Sequence, residues 1–354
     1  MPLLDRLRSI VGAAHVRTGV ELSPFVVEGS SPEAAVFPGS VDEVAAVVRL
    51  AGELDVPVLP WGGGTAATVG APPARPGVVL GLGRLNRLLE HEPGDLTATA
   101  EAGMTVGALQ SALATRGQWV SLDPGDGDRA TLGGVLAANA SGPRRHLYGT
   151  ARDLLIGLTA VAADGSVVRG GGKVVKNVAG YDLPKLFVGS WGTLGVIVEA
   201  TVKLRPRPAA ERLLAARFDR LQDAGAAARA LLASDLIPNA VEILDPGTCA
   251  GLGLAASPSL VVGFDGLAEQ VDWQATELAA LAPPLGGHDM MELDPTVWAR
   301  LAAGARSAFP SPAAVMAFSV LPARVAELME QGAAAARQRG LRSAWSAHAG
   351  VGAV

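Results

Sequence analysis

The sequence has a single cysteine, few aromatic residues and no excess of basic residues, and these shortages exclude several classes of protein. Cys249 is the only cysteine, so no internal disulfide can form and no cysteine spacing of a metal site occurs. An iron–sulfur cluster needs about four thiolates, so this chain alone cannot hold one, and we predict no metal site. Aromatic residues make up 4% of the chain and the net charge is −5. Without a basic stripe, nucleic acid is not expected as the main ligand.

Long apolar runs are also missing. The longest, residues 154–163, is well below the roughly 18–20 residues that cross a bilayer. It ends at the turn signal Asp164-Gly165, which is typical of a buried strand. The apolar run at residues 10–14 is shorter than a signal-peptide core. We therefore expect a cytoplasmic protein, which could still lie at the inner membrane face through a partner.

The chain is long enough for two domains, with 354 residues of which 49% are apolar. Short β-rich runs alternate with helical patterns up to a Pro/Arg stretch at residues 205–208. Within this first part of the chain, Ser40 and Thr105 are predicted helix caps. Beyond it, alternating patterns predict an antiparallel sheet with helices on one face. The predicted helices are about 219–233, 266–282, 295–305 and 322–339, and the predicted strands are near 212–218, 240–244, 259–264 and 314–320.

Two glycine-rich stretches suggest close backbone approach to a ligand. Residues 60–65 (PWGGGT) follow a strand, and glycine amides can converge on an anion such as pyrophosphate, although a tight turn also fits. Residues 123–125 and 130–142 are mostly small. There, Thr131 and Asn139 could hydrogen-bond a phosphate or a ring edge, although a tightly packed helix fits equally well.

Two further stretches, residues 170–183 and 189–197, combine glycine turns with the start of a strand. Glycine-rich turns without a ligand would also account for both stretches, and the side chains of Lys173 and Lys176 are expected to be solvated. A dinucleotide fingerprint of the Rossmann type is disfavoured, because residues 81–86 (GLGRLN) supply only two of its three glycines.

In this order and spacing, the stretches resemble the PCMH-type FAD-binding domain over residues 28–207. The resemblance implies an α+β fold, with an N-terminal extension at 1–27, a two-subdomain FAD-binding domain at 28–207 and an α/β cap domain with an antiparallel sheet at 208–354, which stops short of related chains. It implies noncovalent FAD, since Trp61 stands where covalently linked relatives have histidine or cysteine. The implied cofactor-binding residues are Pro60, Gly62, Gly63, Gly64, Thr65, Pro124, Thr131, Gly133, Gly134, Asn139, Ser141, Gly142, Gly195, Val196 and Ile197.

Within this family, residues 142–145 (GPRR), 149, 152–153 and 175–183 look like the E subunit of bacterial glycolate oxidases. That likeness implies an FAD-binding subunit of a glycolate (2-hydroxy acid) dehydrogenase complex, with a D-type flavin subunit and an iron–sulfur subunit as partners. A stand-alone D-2-hydroxyacid dehydrogenase, an independent oxidase and a non-catalytic flavin-binding subunit remain alternatives.

Oxidation of a 2-hydroxy acid needs a base for the hydroxyl proton and a cation for the carboxylate. The candidate catalytic residues are Arg144, Arg145 and His348. Active relatives carry a late motif, His-x-Gly-Asp-Gly-Asn-x-His, but here Val351 and Ala353 replace its aspartate and asparagine. A substrate or metal site built on that motif is therefore in doubt.

Overall fold

A computed structural model of the chain describes residues 2–71, 73–172, 181–309 and 311–354. It divides into two units, each with its own core. The first unit comprises Met1–Ser121, Asp126–Ala140 and Thr150–Arg207, and the second comprises Leu122–Gly125, Ser141–Gly149 and Pro208–Val354. The sequence predicts one continuous domain at 28–207, whereas in the structure residues 122–125 and 141–149 belong to the second unit.

The strands are β1 Val16–Arg17, β2 Ala34–Val36, β3 Val58–Trp61, β4 Val78–Gly81, β5 Leu88–Glu92, β6 Thr97–Glu101, β7 Gln118–Trp119, β8 Leu155–Val161, β9 Val167–Gly171, β10 Val196–Lys203, β11 Arg205–Pro206, β12 Ala210–Arg217, β13 Ala240–Leu244, β14 Ser259–Gly266, β15 His288–Glu292 and β16 Ser346–His348. The α-helices are α1 Leu3–Val11, α2 Val41–Glu53, α3 Val106–Ala114, α4 Leu132–Ala138, α5 Arg145–Tyr148, α6 Ala151–Leu154, α7 Leu183–Phe187, α8 Leu221–Leu232, α9 Pro246–Gly251, α10 Ala268–Leu281, α11 Val297–Ala303 and α12 Val325–Gln338. Short 3-10 helices lie at Ala13–His15, Gly19–Phe25, Pro283–Leu285, Gly304–Ala308 and Pro322–Arg324.

The first unit contains two larger sheets and a two-stranded sheet formed by β7 and β11. A four-stranded sheet has the order β1-β2-β4-β3, in which β2 and β3 run parallel to β4. A five-stranded antiparallel sheet has the order β5-β6-β10-β8-β9. These two sheets correspond to the two subdomains that the sequence predicts.

Both predicted helix caps of the first unit are confirmed. The Ser40 side chain accepts the N–H of Glu43 at the start of α2, and the Thr105 side chain accepts the N–H of Ala108 in α3. Each cap satisfies a backbone donor that a helix start leaves free.

The N-terminal segment of the first unit packs into a core. Leu7 and Val11 of α1 are buried, as is Phe25, whose ring lies edge-on to Trp61 at 5.4 Å between centroids. The sequence analysis treats residues 1–27 as an extension, although Leu3, Leu7 and Val11 follow the apolar periodicity of a helix. Only the 3-10 segment that ends at Phe25 lacks such a periodicity.

The second unit is one antiparallel sheet with the order β15-β12-β14-β13-β16. Alternate strand residues face two different cores. One core contains buried residues of α8, α10 and α12. The other contains Cys249 of α9 and Trp298 of α11. The antiparallel sheet is confirmed, but the expectation of helices on one face only is wrong.

One predicted strand of the second unit, at residues 314–320, is also wrong. Its last residues pair briefly with residues 352–354: Phe318 and Val354 exchange two backbone hydrogen bonds around an isolated bridge between Ser319 and Ala353. The first part of the segment has no such partner among the described residues, and Val315 and Met316 are exposed. Strand β15 was not predicted, because most of its residues are exposed and show no alternation of apolar and polar side chains. Among the described residues, no helix is long and apolar enough to cross a membrane.

Candidate functional site

The glycine triplet in the first unit lies directly against the start of α4. A Cβ at Gly62 would collide with the Thr131 hydroxyl, and one at Gly63 would overlap the Arg129 carbonyl oxygen. The Arg129 guanidinium also donates to the Gly63 carbonyl at 3.1 Å. The first two glycine-rich stretches therefore meet in space.

Helix α4 depends on small residues for its position. Thr131 is its N-cap and accepts the N–H of Gly134 at 3.2 Å. A Cβ at Gly133 would lie 2.7 Å from the Cβ of Ala102, so a side chain there would push the helix away from its neighbour. Asn139 ends α4 in the left-handed region with φ 48 and accepts the N–H of Arg152 at 3.3 Å. Asn139 thus has a local structural role.

The fourth stretch, residues 189–197, joins the same place. The N–H of Trp191 donates to the Ala137 carbonyl at 2.9 Å, and a Cβ at Gly192 would lie 3.1 Å from Pro60. Val196 and Ile197 then enter β10 as buried residues. The third stretch carries residues 173–180, including Lys173 and Lys176, which lie outside the described residues.

Three separated segments of the first unit thus form one site, which we call the glycine cradle (residues 60–65, 131–139 and 189–195). Backbone without side chains is what a dinucleotide diphosphate and a flat ring require for close approach. In addition, the buried Ser190 Oγ has no hydrogen-bond partner within the described part of the chain. The residues present therefore fit FAD.

Three of the residues predicted to bind the cofactor, Pro124, Ser141 and Gly142, belong to the second unit. Gly142 is needed there for a local reason: its N–H donates to Asp123 Oδ1 at 3.0 Å, and a Cβ would collide with the Asp123 carbonyl. The structure does not place these three residues in the glycine cradle, so their contact with FAD stays a prediction.

A polar cluster lies on the second unit's sheet, on the face toward the α9 and α11 core. Glu211 pairs with the guanidinium of Arg144, whose Cζ stacks 4.1 Å above the Trp298 ring. The Arg144 backbone N–H donates to Asp123 Oδ2 at 2.9 Å. Arg144 is thus already neutralised by a carboxylate, which argues for a structural role.

The pair Glu242–His348 forms the interior of this cluster. His348 Nδ1 lies 2.7 Å from Glu242 Oε1, and the Glu242 side chain is only 2% exposed. Burial raises the pKa of Glu242. Burial alone would lower the pKa of His348, but the Glu242 charge and hydrogen bond outweigh it, so that pKa is raised. The charge of Arg145 lowers the pKa of both groups, and α5, which begins at Arg145, packs against β13, the strand of Glu242.

Asp123 and Asp265 complete the cluster. Burial raises the pKa of Asp123 to about 6, against partial opposition from the Arg144 N–H and charge. The Tyr148 hydroxyl and the Asn239 amide each donate to Asp265 at 2.7 Å. Sequence reasoning missed all the carboxylates of this cluster.

One available signal for these carboxylates was an acidic residue at 242 inside a strand that is otherwise apolar, since a buried charge needs a partner. Within the described residues, no group of three or more His, Cys, Asp or Glu side chains could hold a metal ion.

Two family models match the chain, one for an FAD binding domain over residues 32–171 and one for the C-terminal domain of FAD linked oxidases over residues 207–354. The chain is 35% identical to glycolate oxidase subunit GlcD of Bacillus subtilis, over 71% of this chain and 55% of that protein. It is also 35% identical to a D-lactate dehydrogenase of Archaeoglobus fulgidus, over 76% and 61%. These alignments therefore span little more than half the length of either relative.

The solved structure of 4-ethylphenol oxidase from Gulosibacter chungangensis superimposes with a TM-score of 0.80 at 19% identity, over 97% of this chain and 79% of that one. The structure of p-cresol methylhydroxylase superimposes with a TM-score of 0.72 at 22% identity, over 84% of this chain and 68% of that one, which confirms the PCMH-type fold. The relative named above as a glycolate oxidase subunit is a D subunit, so the likeness to the E subunit in particular stays a prediction. The chain thus carries, in this order, the FAD binding domain and the C-terminal domain of FAD linked oxidases, which together cover most of its length.

Proposed function

We propose that the chain is the FAD-binding subunit of a dehydrogenase complex that oxidises glycolate or a related 2-hydroxy acid. The observation that carries the proposal is the cation Arg145 beside the buried Glu242–His348 pair and the acid Asp123. Among the described residues Arg145 forms no ion pair, unlike Arg144, which is paired with Glu211. The names of the relatives, a glycolate oxidase subunit and a D-lactate dehydrogenase, support a 2-hydroxy acid as the substrate class.

The proposed role of each residue in the cluster follows from its charge. Arg145 binds the substrate carboxylate, for which a guanidinium offers two parallel donors. The charge and hydrogen bond of Glu242 raise the pKa of His348, which favours the imidazolium next to an anionic substrate. Asp123, with a pKa of about 6, is mostly ionised at pH 7 and accepts the hydroxyl proton. When bound, FAD supplies the two-electron acceptor.

The test uses FAD-loaded protein mixed anaerobically with glycolate or D-lactate, with flavin absorbance as the readout. One charge-assisted hydrogen bond contributes about 1.5–3 kcal/mol, so R145Q should raise the KM for the acid roughly 10- to 150-fold. The matched control is R212Q, which removes a partly exposed ion-paired arginine of β12. An unchanged KM in R145Q, equal to that of R212Q, would contradict the assignment.

Partners and location extend the proposal. A D-type flavin subunit and an iron–sulfur subunit would receive the electrons, since one cysteine cannot ligate a cluster. Such a complex would place the chain in the cytoplasm, at the inner membrane face. Co-purification of an iron–sulfur protein with the tagged chain tests this assembly.

A non-catalytic flavin-binding subunit is the second candidate, favoured by Val351 and Ala353 in the late motif. The outcomes separate the candidates. Bleaching by glycolate or D-lactate that is sensitive to R145Q, in the isolated chain or in the complex, indicates a catalytic subunit. A complex whose KM ignores R145Q indicates a non-catalytic one.

A further inference from the structure

Trp191 has a backbone conformation that a bulky residue rarely adopts. Its φ is +55, in the left-handed region, where the side chain of an L-residue crowds the backbone. Such strain persists only where the surrounding structure imposes it, and it concentrates at functional sites. Here the Trp191 N–H is fixed on the Ala137 carbonyl at 2.9 Å, so the conformation is set by the end of α4.

The indole of Trp191 also lacks the burial that such a residue normally has. Its exposure is 49%, although an indole gains more from burial than most side chains. Among the described residues it makes no ring contact and no side-chain hydrogen bond. Strain and exposure together are unfavourable for the chain by itself, which points to a ligand.

The neighbours of Trp191 connect it to the glycine cradle. Gly192, the next residue, lies against Pro60 at the start of the glycine triplet. Gly189 donates its N–H to the Leu136 carbonyl of α4 at 3.1 Å. Trp191 therefore stands between the two segments whose missing side chains make room for FAD.

We infer that the Trp191 indole packs against the isoalloxazine ring of bound FAD and forms one wall of its site. This inference rests on the proposed binding of FAD in the glycine cradle. The chemistry agrees, because a flat aromatic ring stacks on a flat electron-poor ring. Trp191 is not among the cofactor-binding residues predicted from the sequence, because a single tryptophan in a glycine-rich turn forms no recognisable motif.

The test separates loss of the ring from relief of strain. Trp191→Phe keeps an aromatic ring, whereas Trp191→Gly removes the ring and adopts the same φ without strain, so this variant is expected to fold. Trp273→Phe is the matched control, since Trp273 is 50% exposed and lies in the second unit. The apo proteins are titrated with FAD, and both the dissociation constant and the fluorescence yield of bound flavin are measured.

A stacked indole quenches flavin emission, so Trp191→Phe should raise the fluorescence of bound flavin several-fold while W273F leaves it unchanged. Trp191→Gly should raise the FAD dissociation constant about three- to tenfold, the range expected for one aromatic stacking contact. If Trp191→Gly binds FAD as tightly as the natural chain with unchanged flavin emission, the inference is overturned while FAD binding stands. If the natural chain binds no FAD, the proposed function itself fails, and this inference with it.

Discussion

Replacing Gly63 by alanine tests the glycine cradle at its tightest point. The new Cβ would overlap the Arg129 carbonyl oxygen and lie 2.6 Å from the carbonyl carbon, whereas ordinary contacts begin near 3.4 Å. Both neighbours are backbone atoms, so they cannot rotate away. The loop must therefore shift by about 1 Å, which is enough to break an N–H···O hydrogen bond.

The size of the effect follows from the bonds at stake. A hydrogen bond from a backbone N–H to a charged phosphate oxygen contributes about 1.5–3 kcal/mol. Loss of one such bond should raise the FAD dissociation constant of Gly63→Ala roughly 10- to 150-fold. Overpacking should also lower the free energy of unfolding of the apoprotein by about 1–3 kcal/mol.

The assay is a fluorescence titration of apoprotein with FAD, accompanied by thermal unfolding without ligand. Gly83→Ala is the control, because a Cβ at Gly83 meets nothing within 4 Å and Gly83 belongs to the disfavoured Rossmann-like stretch. The reasoning is refuted if Gly63→Ala binds FAD within twofold of the natural chain. It also fails if Gly83→Ala abolishes binding, since that would place the diphosphate elsewhere.

Three further predictions concern the second unit. Burial raises the pKa of Cys249 to about 11, so the folded protein should resist thiol reagents at pH 8, and stoichiometric labelling at the rate of a free thiol would contradict this. Glu242→Gln should lower the pKa of His348 in an NMR titration. It should also remove stability that is present below about pH 6.5 and lost as pH rises through the folded-state pKa; an unchanged pKa would rule out their coupling. Gly263→Ala, whose Cβ would lie 2.6 Å from the Trp298 ring, should lower the free energy of unfolding by about 1–3 kcal/mol, whereas Gly247→Ala, with 3.4 Å of space, should change it little.

The glycine cradle could be anticipated from the sequence because its signal is local. Residues 60–65 and 131–134 each lack side chains over a short run, and such a run has few physical explanations. Ser40 and Thr105 were readable as helix caps for the same reason. What the sequence could not show was that Gly62 and Thr131 touch, since that contact depends on the packing of α4.

The polar cluster could not be anticipated, because it depends on strand register. Glu242 and His348 are 106 positions apart and meet because β13 pairs with β16 with these two residues as direct partners. A slip of β16 by one residue would turn the His348 side chain to the other face of the sheet, away from Glu242. Neither β16 nor β15 carries an apolar alternation that would have revealed it.

Arg144 and Arg145 show the same limit at the level of single residues. As neighbours in sequence they look equivalent, and both were candidate catalytic cations. The structure neutralises Arg144 with Glu211 and brings the charge of Arg145 to the Glu242–His348 pair. Only the fold distinguishes the two.

The most direct test of the central claim, that the glycine cradle holds noncovalent FAD, is the visible absorption spectrum of the purified chain followed by acid precipitation. We expect a yellow protein with flavin absorbance, which releases one FAD per chain into the supernatant. A colourless protein that does not take up added FAD would contradict the cradle, and flavin retained in the precipitate would contradict noncovalent binding.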